Sequence, residues 1–457
     1  MGIAVAFLFI AGNLYMPGIP RDKAFDATFA LRRDPYGFIA KRCERLHSDV
    51  FETRIMLRRT ICMTGHDAAR VFYDSERFTR RGAAPLRVQE TLMGVGGVQS
   101  LEGATHRRRK ELLLSLVSPA RIEELRRIAD AQWTTFANRW TKQDNVVLYD
   151  EMRHLLLLAA CEWAGVPLAE DAVATRARDI TSLFEHAPTL GPLRSRLGAR
   201  ERMEAWIMEC VLALRADRMT ASRGGALFEI AWYRDFRGVL LAPRVAAVEI
   251  LNVLRPIVAV SVYIALAATA LARYPEWRAR ISGGSDESLE AFAQEVRRFY
   301  PFFPTVVARV RQDFEWNGYR FRRGRRAILD LHGTNRDARI FDDPSAFRPE
   351  RFLRATPGPF ELIPQGGGDP VLDHRCAGEP ITVELMKDAL RYLVLRIDYD
   401  VPPQNLAVDE TKVPAVPRSR FIMHSVTMRE AGTPTSPVVP QAVKADLSPV
   451  VHKRRAR

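Results

Sequence analysis

The apolar positions of the chain recur mostly at helical spacing. The longest such stretch begins near Pro243 and ends LNVLRPIVAVSVYIALAATALARYP, apolar almost all round, which is the pattern of a helix enclosed by its neighbours. Its uncharged part, Pro256 to Ala272 between Arg255 and Arg273, is seventeen residues long, short of the roughly 20 that cross a bilayer. A buried central helix is predicted, with no stable membrane insertion. Helical spacing also runs from Pro119 to Trp232, interrupted at Gly165–Val166–Pro167 and over His186 to Gly191. Leu289, Phe292, Val296 and Phe299 mark a further helix. Another carries Ile381, Leu385, Met386, Ala389, Leu390, Leu393, Val394 and Ile397, with Pro380 suited to its first turn.

Strand signals are fewer. Ile61–Cys62–Met63–Thr64 is a short β-like run, a helical piece follows around Ala68 to Tyr73, and Asn317–Gly318 divides two alternating runs from Phe314 to Phe321, a hairpin signal. The pattern predicts a mainly α protein with small β-sheets, formed as a single large domain over residues 19–429. Before it, Gly2 to Met16 carry no charge but are short for a span and lack a positive n-region, so residues 1–18 are an apolar extension ended by Pro17–Gly18. After it, residues 430–457 are rich in Pro, Ser, Thr and Ala without aromatics and read as a disordered basic tail.

Composition changes this picture little. A net charge of +14 and a pI near 9.9 raise the question of nucleic acid, but the basic residues are dispersed and no aromatic-interleaved motif stands out. No nucleic-acid partner is expected. The five cysteines are scattered, odd in number and form no CxxC pair, which argues against a disulfide framework or zinc site and fits a cytoplasmic protein.

Candidate chemistry concentrates at LIPQGGGDPVLDHRCAGEPITVELM, Leu362 to Met386. Gly366, Gly367, Gly368 and Gly378 permit close backbone approach to a partner, and Cys376 lies just before a helix N-terminus, where amide dipoles favour a thiolate. From these residues alone an inert core cysteine is the commoner reading. A helix from about Thr105 opens with His106, Arg107, Arg108, Arg109 and Lys110, unfavourable for its dipole unless an anion lies nearby; a solvated basic face is the equal alternative. Arg255–Pro256 inside the apolar helix combines a kinking proline with an arginine that is costly to bury unpaired. Together they point to a functional site. Glu295 and Arg298, three apart, are by themselves an ordinary ion pair.

Taken in order, Glu295-x-x-Arg298, Pro349–Glu350–Arg351–Phe352 and HRCAG resemble the cytochrome P450 heme-thiolate proteins. IPQGGGDPVLDHRCAGE, NVLRPIVA, EVRRFYPF and VFYDSERF resemble, more closely, the bacterial fatty-acid peroxygenase branch. The resemblance covers about Ile19 to Arg429. It implies the P450 fold, with heme b between the central helix and the cysteine loop, Cys376 as axial thiolate, and Gly367 and Gly368 close to the cofactor. It further implies a buried network of Glu295, Arg298 and Arg351. Arg80 and Lys110 would pair with heme propionates, with His106 and Arg109 as weaker candidates.

Where most oxygen-activating members carry an acid and a threonine, this chain has Arg255–Pro256. The resemblance therefore implies that a long-chain fatty-acid carboxylate docks on Arg255 and serves as general acid–base toward hydrogen peroxide, giving α or β hydroxylation without a redox partner protein. Gln99, where alkene-forming members have histidine, favours hydroxylation over decarboxylation. Met93, Leu190, Phe302 and Phe303 match substrate-channel positions, with ordinary core packing the equal alternative. Formation of terminal alkenes, or a reductase-dependent monooxygenase, are the alternatives.

Overall fold

The computed structural model describes residues 18–185, 193–283 and 285–429. The extension up to Met16, the tail from Glu430 and the channel candidate Leu190 lie outside the described residues. Helices dominate, and the central one, Pro243–Arg273, is enclosed by Leu148–Ala164, Leu193–Arg215 and Glu379–Arg391, which pack along it. Its most apolar window is 89% buried, so its hydropathy is that of a core helix, as the pattern predicts. It also runs continuously across Pro256 rather than breaking there. The ring removes a single helical hydrogen bond, to the Asn252 carbonyl, and the surrounding apolar packing holds both halves in line.

The sheets are small. Five strands lie in the order Val50–Ile55, Arg58–Met63, Arg326–Asp330, Thr305–Val310, Phe78–Thr79, antiparallel except for the pairing of Arg58–Met63 with Arg326–Asp330. Val146–Val147, Ile422–Met428 and Ile397–Asp400 form a second sheet. The expected hairpin is present as Phe314–Trp316 and Tyr319–Phe321; Asn317 (φ 51°) and Gly318 (φ 75°) supply the left-handed turn. The last helical run is shorter than its periodicity suggests. Helix Glu379–Arg391 passes into one π turn, Tyr392–Arg396, and Ile397 starts a strand, because it is the sheet with Ile422–Met428 that buries it.

Helix Asp286–Phe299 lies against Glu379–Arg391 and against the short helix Glu350–Arg354. This stack leads into the cysteine loop, and the central helix packs against both of its longer helices.

Candidate active site

The loop that delivers Cys376 is held by its own backbone. The Cys376 amide donates to the Gln365 carbonyl at 3.1 Å, and the Gln365 side chain accepts from Arg297 (3.0 Å) and donates to Thr382 (3.0 Å). Arg297 also contacts Glu379, whose other oxygen takes the Arg375 guanidinium at 2.6 Å. The glycines serve this packing. Gly366 and Gly368 have φ of 96° and 90°, and a Cβ on Gly367 would lie 2.8 Å from Ile363 and 3.0 Å from the Pro359 carbonyl. Gly367 and Gly368 thus approach the chain itself, since the nearest neighbour of a Cβ on Gly368 is the Asp373 carboxylate.

Four of the five cysteines lie in the core, whereas the residue surface of Cys376 is only partly buried. Burial pushes the thiol above its ordinary value; the Gly378 amide, Lys110 and Arg297 pull it down but do not prevail. A metal cation bound by the sulfur would add to that pull toward the thiolate.

The basic helix, Gly103–Ser115, resolves into two faces. His106, Arg109 and Lys110, at i, i+3 and i+4, turn inward and are buried, while Arg107 and Arg108 stay in water. Lys110 donates to the carbonyls of Asp373 (3.0 Å) and Arg375, tying the helix to the cysteine loop. The His106 and His374 rings lie 4.1 Å apart. Burial pushes His106 down to about 4 and His374 to about 2, leaving both neutral at pH 7. Arg80 donates to the Val307 carbonyl at 2.7 Å and lies over the rings of Phe72 and Tyr73. Arg80, His106, Asp373 and His374 line a cavity of about 180 Å³. Arg109 does not: its guanidinium meets Glu249 of the central helix at 2.6 Å, so its anion is supplied by the protein.

Glu249 was invisible as a site residue in the sequence, where it is one acid among many on a helix. In the fold it accepts from Asn252 (3.2 Å) and lies close to the Val98 amide, and Asn252 donates to the Gln99 oxygen at 3.3 Å. A chain of contacts therefore leads from Arg109 to Gln99. Gly97 completes it, because a Cβ there would stand 2.8 Å from Asn252 and 2.9 Å from Gln99.

One turn along the central helix from Asn252 is Arg255. It is 8% exposed, its Nη1 is buried without a hydrogen-bond partner, and it makes no ion pair among the described residues. Burial, reinforced by Arg200, pushes it down to about 9, while the charge of Cys376 acts in the opposite direction. Phe302 stacks on Tyr263 at 4.4 Å and meets Phe303 edge-on at 4.6 Å; Met93 ends the turn Gln89–Met93 and is half-buried. On the other side of the cysteine helix, Arg298 grips both oxygens of Glu295 at 2.7 Å, and Arg351 reaches Glu295 at 3.2 Å. The expected three-residue network is formed.

A structure of Cytochrome P450SP alpha (CYP152B1) in complex with (R)-ibuprophen is 46% identical, covers 88% of this chain and 99% of its own, and superposes with a TM-score of 0.86. The chain belongs to the cytochrome P450 family. The Cytochrome P450 model itself matches residues 287–422 of this P450. Cytochrome P450EX alpha (CYP152N1), wild-type with myristic acid, is 40% identical, with 90% of this chain and 100% of that one covered and a TM-score of 0.88. Both carry the CYP152 designation, which supports the fatty-acid peroxygenase branch that the motifs resemble. Among curated proteins, Cytochrome P450 71A8 of Mentha piperita is 32% identical over 139 residues, 29% of this chain; the match spans only 27% of that relative.

P450s are oxidoreductases whose heme iron is held by a cysteine thiolate, and the residues of this P450 fit that group. Cys376 sits in a loop turned by glycines just before a helix, Arg255 leaves a buried nitrogen without a partner, and Arg80 and His106, both nitrogen donors, line a cavity beside the loop. Cys376 would hold the iron. Arg80, with Lys110 and His106 beside it, would meet the propionates.

Proposed function

We propose that this P450 is a cytoplasmic peroxygenase that hydroxylates long-chain fatty acids at the α or β carbon with hydrogen peroxide, without a redox partner protein. The observation that carries this reading is the buried, unpartnered Nη1 of Arg255. A buried cation without an anion is costly, and a planar guanidinium accepts a carboxylate through two parallel hydrogen bonds. A fatty-acid head group supplies that anion.

Heme with its thiolate ligand supplies the oxidising chemistry. The chain's residues decide where it is applied and how protons move. Arg255 fixes the carboxylate, so that the first carbons of the acyl chain lie nearest the oxidising centre. Held there, the carboxylate takes a proton from hydrogen peroxide and returns it to the departing oxygen, which leaves as water; the other oxygen enters a C–H bond. Pro256 has no amide to donate and leaves the Asn252 carbonyl of the turn before Arg255 without its helical partner. Gln99, fixed by Asn252, offers an amide that cannot titrate, which favours the hydroxy acid over the alkene. Phe302, Phe303 and Met93 would line the acyl channel.

The test uses purified holoprotein, hydrogen peroxide and a long-chain fatty acid with no reductase present. The expected products are 2- or 3-hydroxy acids. Terminal alkenes would reverse the role given to Gln99, and turnover only with NADPH and electron-transfer proteins would replace the peroxygenase by a monooxygenase.

A further inference from the structure

Far from the cysteine loop, Phe25 and Phe29 are 75% and 72% exposed, and Met56 and Leu57 are 52% and 69% exposed. They form one unit. The Ala27 amide donates to the Arg54 carbonyl at 2.7 Å, the Met56 amide to the Thr28 hydroxyl at 2.5 Å, and the Leu57 amide to the Asp26 carboxylate at 2.6 Å. Helix Thr28–Arg33 therefore lies along the tip of the hairpin formed by Val50–Ile55 and Arg58–Met63. Its inner positions, Ala30 and Leu31, pack on the cluster around Phe38 and Phe51, while Phe29, Arg32 and Arg33 share the outer face.

The hairpin tip is chemically out of place. Met56 and Leu57 have φ of 54° and 60°, the two-residue left-handed turn that suits Asn-Gly, and neither a thioether nor a branched alkyl side chain gains anything locally there. Lys23, Arg32, Arg33 and Arg58 surround the apolar tip and are exposed, whereas the nearby Asp22 is already taken by Arg42 and Arg45, and Asp26 by the Thr28 and Leu57 amides. The sequence that leads into this surface, Gly2 to Met16, carries no charge.

We propose that this face docks reversibly on an anionic phospholipid bilayer, with Phe25, Phe29, Met56 and Leu57 entering the interface and the basic rim meeting the headgroups. The apolar tip is too small to insert and hold alone, and the rim is too diffuse to bind alone; together they give a peripheral contact. Docking itself is independent of the proposed substrate. Its benefit rests on that reading, because a bilayer is where long-chain fatty acids partition.

Full-chain holoprotein is sedimented with vesicles of phosphatidylcholine alone and of phosphatidylcholine mixed with phosphatidylglycerol, at low and high salt. Wild type is expected to follow the anionic vesicles and to be released by salt. Met56→Asn/Leu57→Gly, whose residues suit the turn and preserve the fold, and separately Phe25→Ser/Phe29→Ser, are each expected to lower partitioning about tenfold, with heme spectrum and turnover of dispersed fatty acid unchanged. Absence of binding to anionic vesicles overturns the proposal, as does binding that both paired variants leave intact. Loss of binding only on deletion of residues 2–16 assigns the contact to that segment instead. Paired variants that convert a dimer to monomer in sedimentation velocity, without changing vesicle binding, assign the face to a second copy of the chain.

Discussion

Two buried arginines of this P450 have opposite surroundings. Arg298 is 0% exposed, and every side of its guanidinium is met: both oxygens of Glu295 and the carbonyls of Pro344 and Ala346 at 3.0 Å. Arg255 is 8% exposed and leaves a nitrogen with nothing to donate to. The first arrangement is complete without a ligand and serves the fold; the second is complete only when an anion arrives. Breaking the first should give the largest effect. Glu295→Gln strands Arg298 and weakens its tie to Arg351, at a cost of about 3–5 kcal/mol, so thermal unfolding should fall sharply and heme incorporation be lost. Calorimetry and the absorbance of the purified variant read this directly.

Breaking the second should spare the fold and remove the chemistry. Arg255→Ala is expected to keep heme and Tm near or above wild type, since a costly buried charge is gone, while peroxide-driven hydroxylation drops by about 10²–10⁴ as the anchored acid–base is lost. Turnover retained in this variant would refute the proton role of the bound carboxylate. Arg255→Lys sharpens the contrast: a point charge restores attraction but not the planar fork, so activity should recover only in part.

The same contrast explains what could be read in the sequence. The central helix, the hairpin at Asn317–Gly318 and the buried network of Glu295, Arg298 and Arg351 were legible because each rests on local periodicity, turn chemistry or fixed motif spacing. Glu249 was not, because its importance comes from Arg109, a residue 140 positions away, and from the Val98 amide, which no local pattern connects. Arg109 was assigned to an external anion for the same reason. Likewise the exposed Met56 and Leu57 look like ordinary strand residues until their left-handed backbone places them at a tip.

Glu249 offers a smaller perturbation between the two extremes. Glu249→Gln keeps an acceptor for Asn252 but removes the charge opposite Arg109. Heme should be retained, and kcat/KM should fall about tenfold, with the loss mainly in kcat, because Gln99 shifts while Arg255 still binds substrate. A changed ratio of 2- to 3-hydroxy acid would mark the displacement. A loss confined to stability, with kcat and product ratio unchanged, would make the pair purely structural, like Arg298 and Glu295.

The gentlest probe of Arg255 is pH. Burial depresses its ionisation to about 9 from an ordinary value near 12.5, so the charged form is disfavoured in the folded, ligand-free site. From pH about 9 upward the unfolded chain holds this proton more tightly than the folded one, and the group's contribution to stability rises with pH over that window. Carboxylate binding requires the proton and moves the other way. Fatty-acid affinity, followed by spectral titration, should be flat from pH 7 to near 9 and weaken toward tenfold per further pH unit, a trend that Arg255→Ala abolishes while the Glu249→Gln variant retains it. A wild-type affinity unchanged up to pH 11 would mean that the head group is bound elsewhere.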